Sequence, residues 1–433
     1  MTRSSSPVII GAGVMGCSIA FQMARAGHRP IVVDKGRAAG AGSTSASSAL
    51  IRFNYSALDA VKLAWESGRL WQHWSEFLGV ADELGHARFI RTGMLVLESP
   101  ATTLERVQSH FDEVGIPYEL LDPAAIHDRY PVLDLGRYTP PRRLEDPAFW
   151  DEATGAELTA YFTPDAGFID DPMLAAHNMM VAARHLGAEF HFRSEVSEVR
   201  RAEGHVSQVV LKDGHALDAS VVVNAAGPHS SVVNRMAGVA SSGIQTRPLR
   251  QEVHVVPTPH GCSIEDGGVA IADADLGTYL RPHLGGTFLI GGLEPECDPL
   301  VWVPDPDSFD DHPTPEVWEA QTTRAARRIT TLGVPSHPSG IAALYDVSDD
   351  WLPVYDRTDL DGFYVAIGTS GNQFKNAPMV GVLMNELIEA CESGHDHDRD
   401  PVVVKGPLTG QAIDLGAFSR RRIVHSTTNS VLG

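Results

Sequence analysis

The sequence predicts an α/β fold in which one platform, drawn from three separated stretches of chain, is interrupted by a second, β-rich region. Three observations carry this expectation. The first 34 residues alternate an apolar run, a glycine turn, a helix-forming run and a second apolar run, which is one βαβ unit. Strand, turn and helix patterns resume around residues 173–227 and again around 362–392. Between these stretches lie short strand-like segments separated by turn residues.

Taken in order, residues 7–10 read as a strand, 11–16 as a turn, 17–26 as a helix ended by Gly27, and 30–33 as a strand closing at Asp34. Val61, Leu63, Ala64, Leu70, Trp71, Trp74 and Phe77 have helical spacing and predict one helix over about 59–78. Segments 88–97, 251–257, 277–280 and 287–291 read as strands. Residues 173–186 form a candidate helix with Gly187 at its end, followed by strand-like 189–192, 206–211 and 220–223. Residues 362–367 read as a strand running into a Gly-Thr-Ser-Gly turn, and Pro378 opens a helix reaching about Glu392. The platform is expected from 1–87, 166–245 and 340–400, the second domain from 88–165 and 246–339, and a tail from 401–433.

Length and composition bound the function. A chain of 433 residues exceeds one domain at roughly 150 residues each, and 43% hydrophobic with 21% charged residues is a globular composition. A net charge of −21 disfavours nucleic acid and anionic lipid as partners. Cys17, Cys262, Cys297 and Cys391 lie far apart without a CxxC, which fits a reducing, cytoplasmic setting and no structural zinc. Arg3 and the apolar run 8–24 imitate a secretory signal, but the glycines inside that run fall at a phosphate-loop spacing. No other apolar stretch approaches the roughly 18 residues that span a bilayer, so no membrane span is expected.

The glycine loop Gly11-Ala12-Gly13-Val14-Met15-Gly16 is the first chemical motif. Gly11 allows the sharp turn, Gly13 lets backbone approach a pyrophosphate, and Gly16 permits close helix packing, while the helix N-terminus offers amides to the phosphates. Asp34 sits where a carboxylate can accept ribose hydroxyls. Together they predict dinucleotide binding. The loop alone leaves the choice of dinucleotide open, and the Gly/Ser stretch 35–48, beginning at Lys35, offers further hydroxyls and amides to a long ligand.

Over nearly its whole length the chain resembles the D-amino-acid oxidase superfamily of FAD flavoenzymes, in particular the sarcosine oxidase and dimethylglycine dehydrogenase branch. The pieces that carry the resemblance are GAGVMG with Asp34, GSTSASSALIRFNYS from Gly42, VVVNAAGPHSS from Val221, TYLRPHLGGTFLIGG from Thr278, LYDVSDDWLPVYD from Leu344 and GTSGNQFKNAPMVG from Gly368. The resemblance implies an FAD-binding Rossmann-like domain of three segments with an inserted β-rich (α+β) substrate domain over the flavin. It places Gly11, Gly13, Val14, Met15 and Gly16 at the diphosphate, Asp34 and Lys35 at the adenosine ribose, and Gly42, Ser43, Thr44 and Ser48 along the diphosphate and ribityl chain. Val196 then holds adenine through its backbone, Ala226 and Gly227 approach the cofactor, and Gly371, Asn372, Gln373, Phe374 and Lys375 pass the pyrimidine edge of the flavin.

The same resemblance implies that Arg52 and Lys375 hold a substrate carboxylate from two sides, with Tyr279 and Tyr345 as aromatic walls and Arg281 as a weaker candidate ligand or a surface ion pair. The implied activity is hydride transfer from the carbon beside nitrogen of a small amino acid or N-alkyl amino acid to FAD. The acceptor is O2 or another, unknown acceptor. Alternatives are a D-amino-acid or imino-acid dehydrogenase feeding a quinone or partner protein, and an FAD-binding subunit of a larger complex. The chain also departs from the pattern. Ala343 and Ala46 stand where relatives attach flavin covalently, so the FAD is expected to be noncovalent. Leu289 replaces the lysine that promotes reaction with oxygen, and residues 167–172 (GFIDDP) lack the histidine that carries a second flavin. His395-Asp396-His397-Asp398 reads as a charged turn rather than a metal site, and Arg420-Arg421-Arg422 as a solvated cluster.

Overall fold

A computed structural model describes residues 6–99, 104–239 and 244–424. Its platform is a six-stranded sheet in the order Val354–Arg357, Phe363–Ile367, Val222–Asn224, Val8–Ile10, Ile31–Val33 and Glu189–His191. All neighbours run parallel except the first pair. Runs such as Val-Ile-Ile and Val-Val-Asn are buried throughout because both faces of the sheet are covered. On one face helix Val14–Arg25 lies between helices Pro172–His185 and Ala377–Glu392, where Ala175, Ala176, Ala182 and Ala183 permit close approach. On the other, Val8, Ile10, Val222 and Phe363 pack on Val199, Val206 and Val209 of a small antiparallel sheet.

The second layer is a nine-stranded, mostly antiparallel sheet that includes Thr246–Pro257, Thr287–Gly292, Thr278–His283, Ala270–Asp273, Met94–Leu97 and Ala160–Thr163. Strand alternation divides its residues. Leu95, Phe162, Ile271, Leu280 and Ile290 pack with Trp318 of helix Pro315–Arg328 on one face. Met94, Ala272 and Tyr279 lie on the other, toward the platform.

Several elements differ from the sequence-based expectation. The first helix begins at Val14 with Gly13 as its N-cap, so Gly16 lies inside it. The helix expected over 59–78 is two, Leu58–Gln72 and Trp74–Leu78, because His73 leaves helical geometry at φ −113 and ψ 35. Segment 88–97 splits into Phe89–Ile90 and Met94–Leu97 in different sheets, turned apart at Gly93 with φ +73. Strand Gly340–Ser348 pairs with Thr246–Pro257 of the nine-stranded sheet, although residues from 340 onward read in sequence as platform.

Of the arginine cluster only Arg421 is exposed, which corrects the sequence reading for Arg420 and Arg422. Arg420 is buried and ion-paired with Asp356, Asp359 and Asp398, and Arg422 with Asp350 at 2.7 Å, so distant acids fold the tail onto the platform. Leu415 and Phe418 enter the main core beside it. His397 is buried 3.5 Å from Asp356 within the same network. Among the described residues no helix is long and apolar enough to cross a membrane.

Candidate active site

The glycine loop leaves strand Val8–Ile10 at its C-terminal end, as Ala225 does strand Val222–Asn224. There the platform and the nine-stranded sheet enclose a cleft of about 750 Å³, within the usual range for cofactor pockets. At one end, helix Val14–Arg25 has no side-chain cap, so its first turn keeps amide donors and a positive dipole end for an anion. Thr44 Oγ1 accepts from Val14 N at 3.0 Å, tying the Gly/Ser loop to the helix start. The Asp34 carboxylate accepts from Ala12 N at 2.6 Å and Gly36 N at 2.5 Å, and is thereby oriented into the cleft beside the loop.

Gly11 has φ +110, and a Cβ there would lie 2.8 Å from the carbonyl carbon of Ala225 and 3.1 Å from Ala226 Cα. Gly11→Ala is therefore expected to combine left-handed strain with a backbone clash. The expected outcome is protein purified with most of its flavin absorbance lost and a lowered melting temperature, read from the ratio of visible to 280-nm absorbance and from thermal unfolding.

Every sequence-predicted site residue except Gly16 and the weaker candidate Arg281 lines this cleft. Gly16 lies behind it, packed so closely on Gly11 O that a Cβ has no room. Val196 and Lys35 stand at the Asp34 end, where the Lys35 ammonium is engaged by Asp307 and by His229 Nε2 at 2.8 Å. Ser43 Oγ donates to Leu344 O at 2.8 Å, and Ser48 Oγ lies 2.6 Å from Tyr279 OH, so the loop also fastens the roof. Ala46 and Ala343 line the cleft as bare methyl groups.

At the far end the chemistry is cationic. Lys375 is buried, and its Nζ donates to Asn372 O and, at 2.8 Å, to Tyr55 OH. Arg52 is also buried, with its guanidinium 4.8 Å above the Tyr55 ring. Burial first, and the Arg52 charge second, hold the Lys375 ammonium well below its usual range. Burial likewise lowers Arg52, and it pushes the Tyr55 and Tyr279 hydroxyls up to about 12. Tyr345 rises well above its ordinary value for the same reason. Gly371 and Gly291 make room for the aromatic walls, since a Cβ at either would enter the ring of Tyr345 or Tyr279.

Two site residues escaped the sequence reading. Tyr55 donates to Asn372 O at 2.6 Å and bridges the two cations; the signal was its place three residues after Arg52. Asp346 lines the cleft fully buried, accepts from Gly368 N at 2.7 Å, and is raised by burial to about 7. Arg281 is no surface ion pair. It is 2% exposed, with its guanidinium 4.0 Å over the Phe168 ring. Leu289 pairs with it across the neighbouring strand.

The donor set fits a long dinucleotide. Uncapped helix amides and an oriented acid occupy one end of the cleft, and buried cations under a tyrosine-lined roof occupy the other. That arrangement belongs to flavin-dependent oxidoreductases, whose redox ring must sit away from the adenosine end. The chain belongs to the DAO family of FAD dependent oxidoreductases, whose pattern matches residues 7–387, and its cofactor is FAD.

Among its relatives, FAD-dependent oxidoreductase domain-containing protein 1 of Bos taurus is 24% identical over 428 residues, covering 89% of this chain and 81% of the relative. Glycine oxidase of Geobacillus kaustophilus is 24% identical over 414 residues, covering 92% and 96%. The crystal structure of L-proline dehydrogenase from P. horikoshii superposes with a TM-score of 0.72 at 23% identity, covering 91% of this chain and 100% of that one.

Proposed function

We propose that the protein oxidises the C–N bond of a small amino acid or N-alkyl amino acid. The observation that carries this reading is the pair of buried cations, Arg52 and Lys375, beside a tyrosine-walled end of the cofactor cleft. In this reading residues 1–87, 166–245 and 340–400 form the FAD domain and 88–165 with 246–339 the substrate domain, except that strand Gly340–Ser348 joins the substrate sheet. Bound FAD supplies the hydride acceptor. Arg52 and Lys375 hold the substrate carboxylate and turn its α C–H toward the cofactor, converting an encounter into an oriented step. Their charges also disfavour a third cation, so they lower the pKa of the substrate ammonium and deliver the neutral amine that hydride loss requires. Tyr55, Tyr279 and Tyr345 stay neutral at physiological pH and exclude water. Helix Ala377–Glu392 opens beside Lys375 without a side-chain cap, and its positive end would stabilise negative charge on a flavin held there. The product imine hydrolyses to an aldehyde or keto acid and an amine.

The glycine oxidase and the L-proline dehydrogenase among its relatives support the same substrate class. Leu289 places an apolar side chain where the resemblance puts an oxygen-promoting lysine, which favours a dehydrogenase using an acceptor other than O2. All four cysteines are unpaired, which supports a reducing, cytoplasmic setting.

Anaerobic mixing with a panel of N-alkyl and D- or L-amino acids is expected to bleach the oxidised flavin bands with at least one member; persistent colour throughout would overturn the reading. Reoxidation by an artificial acceptor should outrun reoxidation by air. Acid denaturation should release the flavin, because Ala46 and Ala343 offer no atom to bind it.

A further inference from the structure

Residues 303–314 run from strand Val301–Trp302 to helix Pro315–Arg328 of the roof without forming helix or strand. Both ends of this stretch are pinned to the nine-stranded sheet. Val303 N donates to Pro248 O at 2.9 Å, and Thr314 N to Glu252 Oε2 at 2.9 Å. Arg250 donates from Nε to Asp310 O at 2.7 Å and from Nη2 to His312 O at 2.5 Å, while Ala342 N donates to Asp311 O at 3.2 Å. Between these anchors the chain turns on itself. Asp307 N donates to Asp305 Oδ1 and Ser308 N to Asp305 O, each at 3.0 Å, which puts the Asp307 side chain on the turn.

From that turn the Asp307 carboxylate crosses to the platform. It accepts from the Lys35 ammonium, one residue after Asp34, and its Oδ1 lies 3.0 Å from His229 Nε2, two residues after Gly227. Lys35 Nζ and His229 Nε2 are 2.8 Å apart, so the three groups close one triangle between roof and floor. The Lys35 contact, more than His229, holds the Asp307 carboxyl below its usual range, and the acid is charged at neutral pH. Pro306, Asp307 and Phe309 line the cleft together with Asp34 and Val196. The triangle stays in water, with the Asp307 side chain 60% and the Lys35 side chain 37% exposed. Exposed ion pairs add little to the stability of a fold and are screened by salt. One that spans the mouth of a cleft can instead govern passage, because opening it frees residues 304–309 while the anchors on either side stay in place.

We propose that residues 304–309 are a strap over the adenosine end of the FAD site and that Asp307 is its latch, so that FAD enters and leaves when the contacts of Asp307 with Lys35 and His229 open. A latched strap slows passage in both directions, which sets it apart from a side chain that merely holds the cofactor and slows only its release. The partners of the latch lie 272 and 78 positions from Asp307, so no local motif marks it.

The test follows exchange of bound FAD against radiolabelled FAD in the FAD-loaded enzyme, with the dissociation constant taken from equilibrium dilution; no amine substrate enters. Asp307→Asn is expected to quicken exchange about 2- to 10-fold, the scale of one or two exposed ion pairs. The dissociation constant should move less than the exchange rate, because entry quickens as well. Asp307→Glu, which keeps the charge, should restore slow exchange. Raising NaCl should quicken exchange in the unmodified enzyme and leave the Asn variant nearly unchanged. Asp310→Asn makes the same change of charge at a carboxylate that accepts from His312 N at 3.0 Å, and it should exchange at the original rate. Unchanged exchange in Asp307→Asn, a dissociation constant that rises in step with the rate, or equal acceleration by Asp310→Asn would each overturn the latch. If the Asn variant does not fold, the salt series on the unmodified enzyme decides, and exchange indifferent to salt would overturn it.

Discussion

Lys375→Met is expected to weaken binding of a substrate carboxylate by about 10- to 150-fold, the equivalent of one charge-assisted hydrogen bond of roughly 1.5–3 kcal/mol. Methionine keeps the length and apolar stem of the side chain, so the surroundings lose a charge and not a shape. An ammonium carries three protons. Tyr55 OH and Asn372 O engage Nζ, which leaves donor capacity for a ligand. The pH dependence separates this role from a packing role. Because burial and Arg52 lower the Lys375 pKa, the folded protein loses this cation at a pH below the ordinary lysine value of 10.5. Carboxylate affinity in the unmodified enzyme should therefore fall as pH rises through that lowered value, and the Met variant should lack this titration. Stability runs the other way. The unfolded chain keeps the lysine proton up to about 10.5 whereas the folded chain releases it earlier, so stability rises with pH across that window and the rise disappears in the variant. Absorbance titrations and thermal unfolding across alkaline pH measure both. Unchanged affinity with an unchanged pH profile would remove Lys375 from the substrate site.

What could be read in the sequence was what a short stretch of chain does by itself. Gly11, Gly13 and Asp34 are legible because one strand, one turn and the next strand make that site, and the constraints are local. Arg52, Lys375, Tyr279 and Tyr345 needed the resemblance, since nothing in their spacing places them together. Tyr55 shows why the rest was hidden: its hydroxyl meets Lys375 across 320 positions of sequence, a contact created only when helix Leu58–Gln72 packs on helix Ala377–Glu392. The arginines at 420 and 422 misled for the same reason, because their acids, Asp398 and Asp350, lie 22 and 72 positions away in sequence. Asp346 reads as one acid in an acidic stretch until strand Gly340–Ser348 turns it into the cleft.

The largest expected stability loss is at Arg328, which holds the roof in place. Its side chain is fully buried, with Nε 2.7 Å from Asp273 Oδ2, Nη2 2.9 Å from Asp275 Oδ2, and Nη1 donating to the carbonyls of Asp134 and Gly136. Asp275 in turn accepts from Tyr138 N and Thr139 N, each at 2.9 Å. Asp273 and Asp275 frame the turn from strand Ala270–Asp273 into Thr278–His283, and so set the approach of Tyr279 to the cleft. Arg328→Met leaves two buried carboxylates without a cation and is expected to cost about 3–5 kcal/mol. Asp275 is held above the usual carboxylate range by burial and by Asp273, with Arg328 opposing the rise, so the substitution should raise it further. The sign follows. A carboxyl whose folded pKa is raised destabilises the fold as pH climbs through that value, so the deficit should be larger at neutral pH than near pH 5. Thermal unfolding at both pH values, with flavin retention as a second readout, checks this. Adding Asp273→Asn and Asp275→Asn to the Met variant removes the stranded charges; recovery of most of the lost stability would show that the cost was unpaired charge, whereas no recovery would place it in the packing of helix Pro315–Arg328 against the sheet.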